Sequence, residues 1–447
     1  MSKNNKPLVI IGVILLNILV VFMTVQSITG LGNKAIDEAR TYAEQDLCSK
    51  SIEKYQEVLA EKDTLNVRLE MIDVYARGLE ISEITSIYNV NTFLEESIDK
   101  YSKSPKIYEA ACDLMLKYNQ YEDCAKILMQ ARDMGVKSDK IEEYRNTARY
   151  KYRKNYSMFS KVYPESYETY LVDSDGEFSF IKTDMSSLIN QTYSNATSFS
   201  DQYAFVQTET EEEGVRSFII NQKGVRSCYF DDVTESTGVG MGKIKGTQSY
   251  LVACKSDETY KYYDITGKEL FGDYTFAGRF KNDVAAVKNS DDTWSVINTE
   301  GKVVADGFDD VIINDNNECS SRGVIIAKKN GAYHLYDYKT LKQIGDFSCE
   351  NAKPIVRGPF AFEKDGKWGY ADLDGNVVLE PQYDDAKSFS NGLASVNNGG
   401  SWQCINQKGE IVIDESFEEI GDLSDSGILF VKTKGHWCYL QFYYVGE

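Results

Sequence analysis

Residues 359–396 read PFAFEKDGKWGYADLDGNVVLEPQYDDAKSFSNGLASV, and the rest of the chain is best understood outward from them. The stretch reads as a strand, a turn, a second strand around Trp368 and a turn at Asp374-Gly375. A third strand follows at Val377–Leu379, then a loop holding Tyr383-Asp384-Asp385. Gly392-Leu393-Ala394 opens another unit of the same kind.

The frame recurs on both sides. Trp294 stands seven residues before Gly301, Trp368 seven before Gly375 and Trp402 seven before Gly409. Tyr260 stands seven before Gly267, and Ser217 seven before Gly224. Phe178, Tyr333 and Trp437 fit without the glycine. Successive anchors are 39, 43, 34, 39, 35, 34 and 35 residues apart. A period of this size signals units that bury their faces only against neighbours.

These residues resemble the WG repeat family, whose dipeptide stands here as Trp368-Gly369. Ser295, Gln403 and Cys438 replace the glycine in other units. The resemblance covers residues 165–447 and implies an all-β repeat domain, a β-propeller of seven or eight blades. Three or four short strands fit within ~35 residues. Closing the ring removes most free sheet edges. The first unit starts at its first strand and the last ends soon after its second, so the two ends can share a closing blade. An open β-solenoid is the alternative.

The chain has 447 residues, 49 Lys plus Arg against 69 Asp plus Glu, and a net charge of −20. That acidity argues against a duplex nucleic-acid binder, which needs a basic face. Two His and no His/Cys cluster weigh against a zinc site or a His-based triad. The chain has 31 Tyr but only 6 Pro, because Asp-Gly and Lys-Gly turns do the work of proline. Nine cysteines, an odd number spread along the chain, are sparser than a secreted disulfide framework; Cys112 and Cys124 are small packing residues, with a bridge between them as the alternative.

Leu8–Val25, LVIIGVILLNILVVFMTV, is uncharged and long enough for a transmembrane helix. Lys3 and Lys6 precede it, and the next basic residue is Lys34. The expectation is a cytoplasmic tail at 1–7, an uncleaved single-pass anchor at 8–25 and everything beyond it extracytoplasmic.

Residues 33–160 have helical periodicity, a start at Ser104-Pro105 and a stop at Gly135. Tyr108, Ala111, Cys112, Met115, Tyr121, Cys124, Leu128 and Ala131 resemble a tetratricopeptide (TPR) helix pair. Ala39 and Ser51, like Cys112 and Cys124, are small residues 12 apart that let paired helices approach closely. The resemblance implies either a partner-binding groove or a spacer. Arg145, Arg149, Lys151, Arg153 and Lys154 are expected on the solvated face of the last helix.

Candidate chemistry is sparse. Asp231-Asp232, Asp309-Asp310, Asp384-Asp385 and Glu418-Glu419 each follow an aromatic residue and read as recurring turns before they read as calcium ligands. Asp173-x-Asp175-Gly176 and Asp372-x-Asp374-Gly375 read as hairpin turns. Gly238, Gly240, Gly242 and Gly246 read as a loop insertion, His334 and His436 as strand residues, and the aromatic anchors as core. No catalytic, cofactor or metal residue is assigned, and no cofactor is expected. The expected function is a membrane-anchored, non-catalytic binding or scaffold protein for a protein or envelope ligand, with no nucleic-acid partner. The alternatives are a propeller hydrolase or lyase acting on envelope polysaccharide, and a structural part of an envelope assembly.

Overall fold

The computed structural model describes residues 34–156 and 159–444. The chain divides into two compact units between Lys151 and Tyr152.

Seven helices make up the described part of the first unit. They are α1 (34–44), α2 (Cys48–Glu61), α3 (Leu65–Glu80), α4 (Ile87–Lys100), α5 (Pro105–Lys117), α6 (Tyr121–Asp133) and α7 (Asp139–Ala148). Their ends follow local chemistry. Thr64 and Ser138 accept from the backbone N–H groups of Val67 and Ile141, capping α3 and α7. Pro105 opens α5, and Gly135 adopts a positive φ just beyond α6. The small pairs are fully buried: Ser51 Oγ donates to the Ala39 carbonyl at 2.8 Å, and Cys112 and Cys124 have no exposed surface. Inside the unit Arg68 forks onto Asp63 at 2.6 and 2.8 Å, and Lys100 reaches the same carboxylate at 2.9 Å.

Two expectations need correction here. The anchor expected at Leu8–Val25 lies outside the described residues. Among the described residues no helix is long and apolar enough to cross a membrane. The longest, α3, has 16 residues and spans ~24 Å, short of a ~30 Å hydrocarbon core. The single-pass membrane topology, and the extracytoplasmic placement built on it, are therefore not supported. The basic tail of the helical region is also different. α7 stops at Ala148, and Tyr152–Tyr156 is a strand.

The second unit is a closed eight-bladed propeller. Blade 6 shows the plan: Asn351–Ala352, Phe360–Lys364, Lys367–Ala371 and Val377–Tyr383 pair in that order, all antiparallel. Seven blades begin with a two-residue strand nearest the axis, at Lys161, Asn195, Phe276, Asp310, Asn351, Asp385 and Glu419. Blade 3 begins with the twelve-residue strand Val233–Ile244. Fourth strands lie outside and leave Val303, Val304, Val377, Val378 and Ile411 exposed. Blade 8 is shared by both ends of the unit: Glu419–Ile420, Ile428–Thr433 and His436–Phe442 are completed by Tyr152–Tyr156. That strand pairs Arg153 with Gln441 and Asn155 with Tyr439. The shared blade settles the choice against an open solenoid.

The core lies between blades. Trp368, Tyr370 and Tyr383 of blade 6 pack on Phe389, Val396 and Ile405 of blade 7. A fully buried phenylalanine such as Phe389 contributes about 2–3 kcal/mol by its area. The same contact joins the ends of the ring, where Tyr170, Val172 and Ile181 of blade 1 meet Ile428, Phe430 and Trp437 of blade 8.

The glycine-rich stretch is not a loop. Gly238, Gly240 and Gly242 belong to the long first strand of blade 3. A Cβ on Gly240 would stand 2.3 Å from the Phe280 nitrogen, so glycine allows this strand to press on the backbone of blade 4. Met241 N donates to the Phe280 carbonyl at 2.9 Å across that contact.

Candidate functional site

The acidic pairs have structural work. Each joins the outer strand of one blade to the inner strand of the next. In three of the four pairs the first acid accepts from the backbone of a hairpin turn: Asp309 from Gly331 at 3.1 Å, Asp384 from Gly399 at 3.0 Å and Glu418 from Gly435 at 3.0 Å. The second acid takes a neighbouring donor, as in Tyr333 Oη to Asp310 and Lys353 Nζ to Asp385 at 3.1 Å. Among the described residues no three His, Cys, Asp or Glu side chains converge as metal ligands would. The Asp-x-Asp-Gly segments are turns as well. Asp372 Oδ1 accepts from Asp374 N and Asn376 N at 3.0 and 2.8 Å, and Asp173 Oδ1 from Gly176 N at 2.7 Å.

Among the aromatic anchors, Trp368, Trp437, Tyr260 and Tyr333 are buried between blades. Trp437 Nε1 also donates to the Ser160 carbonyl at 2.8 Å. His334 Nδ1 lies 3.1 Å from the Phe347 carbonyl within its strand, and His436 is exposed.

Sequence reasoning missed the axis of the ring. A cavity of about 580 Å³ is lined there by residues from blades 1, 4, 5, 6, 7 and 8. Its volume falls in the range of small-molecule and peptide-end pockets. The signal lay in the repeat frame. Two residues beyond the innermost Ala or its equivalent, the blades place Pro164, Ser198, Arg279, Ile313, Pro354, Ser388 and Asp422. Four of these line the cavity. Only blades 4 and 8, opposite each other in an eight-membered ring, carry charge at this position.

Five basic and five acidic side chains line the cavity, in a chain of net charge −20. Several are paired: Lys281 with Glu318 at 2.7 Å, Lys353 with Asp385, and Arg357 with Asp425 at 2.7 Å. Asp422 keeps some open surface yet is enclosed by protein. Burial, with Asp315 adding repulsion, raises its carboxyl above the usual range against the pull of Lys387 and Arg357. At the blade 1–8 junction Tyr170 Oη meets Ser424 Oγ at 2.7 Å, Ser426 Oγ at 2.9 Å and Glu165 Oε2 at 3.1 Å. A second cavity of about 410 Å³ shares Arg322 and Arg357 with the first.

A family profile described as "WG containing repeat" matches residues 368–402 and 404–437. Each matched unit runs from the third strand of one blade to the third strand of the next, so the sequence repeat is offset from the blade. The last blades therefore carry WG repeats, on an eight-bladed propeller. No curated protein sequence matches the chain. Among solved structures, BamB from Moraxella catarrhalis is similar with a TM-score of 0.41 at 11% identity, over 64% of this chain and 98% of that one. The C-terminal WD40 domain of Sif2 gives 0.36 at 11% identity, over 67% and 97%. Kluyveromyces lactis Hsv2 gives 0.34 at 9% identity, over 63% and 98%.

Proposed function

We propose that the protein is a non-catalytic binding scaffold that receives a protein partner on the propeller face around the axial cavity. One observation carries the reading: a closed ring in which three of the four recurring acidic pairs serve turns and ion pairs, around a cavity that gathers side chains from six blades. Blade strands are fixed by their neighbours, whereas inner segments vary freely and can select a partner. The helical unit, with TPR-like pairs, supplies a second surface for the same assembly. Amine cross-linking of the full chain in cell extract tests this. Cross-links to one partner should concentrate on Lys281, Lys353 and Lys387. Cross-links confined to the outer strands, or none above background, would overturn it.

A second reading, hydrolysis of a polysaccharide, is favoured by one feature. Asp315 and Asp422 both line the cavity, and burial raises the Asp422 carboxyl, the direction a general acid requires. Polysaccharide cleavage abolished by Asp422→Asn would establish it. The absence of any cleavage across plant, fungal and bacterial glycans would dismiss it.

A further inference from the structure

Arg279 is only 2% exposed, yet its Nε and Nη1 have no hydrogen-bond partner. Nη2 has one long bond, 3.4 Å to the Thr237 carbonyl. A guanidinium offers five N–H donors and keeps its charge even when buried. Leaving such a charge unpaired is costly, and proteins do so where a partner is meant to arrive. Glu318 is the carboxylate whose charge Arg279 feels most, but its hydrogen bonds go to Lys281 Nζ at 2.7 Å and Asn314 Nδ2 at 3.0 Å.

The neighbours of the side chain place it beside the cavity. Lys281, two residues on, lines the cavity, as does Glu318. Tyr167, which also lines the cavity, is close enough to interact with Arg279. The guanidinium itself rests on Gly238, where a Cβ would stand 2.2 Å from Nη2. Glycine there, at φ +108°, provides a berth from which the side chain can turn toward the axis.

We propose that Arg279, buried just behind the Tyr167, Lys281 and Glu318 wall of the axial cavity, is a carboxylate-binding group that acts with Lys281. A carboxylate entering between Tyr167 and Lys281 meets the fork of a planar guanidinium, the geometry suited to two parallel N–H···O bonds. The carboxylate comes from a small organic acid or from the acidic end of a protein segment. In the second case the proposal deepens the scaffold reading by naming the chemistry that the ring selects.

Calorimetric titration of the full chain in chloride-free buffer, with malonate and with an Asp-rich peptide as probes, tests it. Saturable binding of either probe is expected, weakened about tenfold or more in Arg279→Gln. Lys281→Gln, at a partly exposed site, should weaken binding less, and the surface change Arg216→Gln not at all. Malonate binding identifies a small acid, and peptide binding without malonate binding identifies a protein segment. If Arg279→Gln does not fold, the Lys281→Gln loss and competition by added chloride decide. No saturable binding up to about 10 mM, unchanged affinity in the variants, or tighter binding of inorganic phosphate would overturn the proposal. Lysine cross-links that persist despite such a failure would leave the scaffold reading standing.

Discussion

Replacing Tyr170 by Phe removes one oxygen from the seam where the ring closes. That hydroxyl is buried and touches Ser424, Ser426 and Glu165 at 2.7, 2.9 and 3.1 Å. The ring contact with Phe430, centroids 5.2 Å apart, survives in the variant, so packing is held nearly constant. The remaining groups still have each other: Ser424 and Ser426 are 2.9 Å apart, Ser426 donates to Glu165 at 2.8 Å, and Ile428 N donates to Ser424 at 2.9 Å. The cost should therefore fall below that of a fully orphaned network, at about 1.5–2.5 kcal/mol. For a unit spanning Tyr152–Glu447 that lowers Tm by roughly 2–4 °C. Tyr333→Phe is the matched control, because its hydroxyl meets the half-buried Asp310 at a blade junction away from the seam. It should cost less than about 1 kcal/mol. Thermal unfolding followed by near-ultraviolet circular dichroism measures both. A Tyr170→Phe protein within about 1 °C of wild type, or no less stable than Tyr333→Phe, would refute the reasoning.

Other outcomes follow from the same structure. Hydrogen bonding from Arg68, aided by Lys100, holds the Asp63 carboxyl down at about 2, against about 3.9 in an unfolded chain. As pH falls the unfolded chain takes up the proton first. The contribution is therefore complete above pH ~4 and is lost as pH drops toward ~2, amounting to on the order of 2 kcal/mol. Urea unfolding of the helical signal across that range should show the loss in wild type and not in Asp63→Asn; equal slopes would contradict it. All nine cysteines are free and buried, and burial pushes thiols such as Cys319, Cys349 and Cys404 up to about 12. An alkylating reagent near neutral pH should leave most of them unlabelled in the native protein and label all nine in denaturant, as counted by mass spectrometry; rapid native labelling would place them elsewhere. Gly375 has φ +86°, and an added Cβ would lie 2.5 Å from Phe347 Cβ, so Gly375→Ala should cost about 1–3 kcal/mol in denaturant unfolding.

The blades were legible because seven of the eight carry an aromatic residue at the same place, with Ser217 standing there in blade 2. Trp368 and Trp402 pair with Tyr383 and Phe417 across a bulged third-to-fourth strand contact, and that geometry sets the seven-residue distance to the turn glycine. The closing strand was harder to see. Tyr152–Tyr156 follows a helix directly, and its alternating tyrosines and basic residues also suit a helix face. Only pairing with a strand nearly 300 residues away distinguishes the two readings. The glycines of blade 3 misled for a related reason, since a close approach between blades leaves the same sequence trace as a loop. The channel was least visible. Arg279 and Asp422 stand where other blades place Ser, Pro or Ile, and a position at or behind a cavity accepts many side chains without disturbing the blade. The expected membrane segment rested on hydropathy at residues 8–25, and the described helices offer nothing comparable.

The central claim is that the ring closes through a blade built from both ends of the unit. An engineered disulfide tests it most directly. Arg153 and Gln441 are register partners in blade 8, a spacing that a disulfide can bridge. The Arg153→Cys, Gln441→Cys double variant should yield, on mild oxidation and digestion, one intramolecular cross-linked peptide joining positions 153 and 441. Arg153→Cys with Tyr439→Cys, off register by two residues, should not. No 153–441 cross-link, or equal cross-linking in the two variants, would contradict the closed eight-bladed ring.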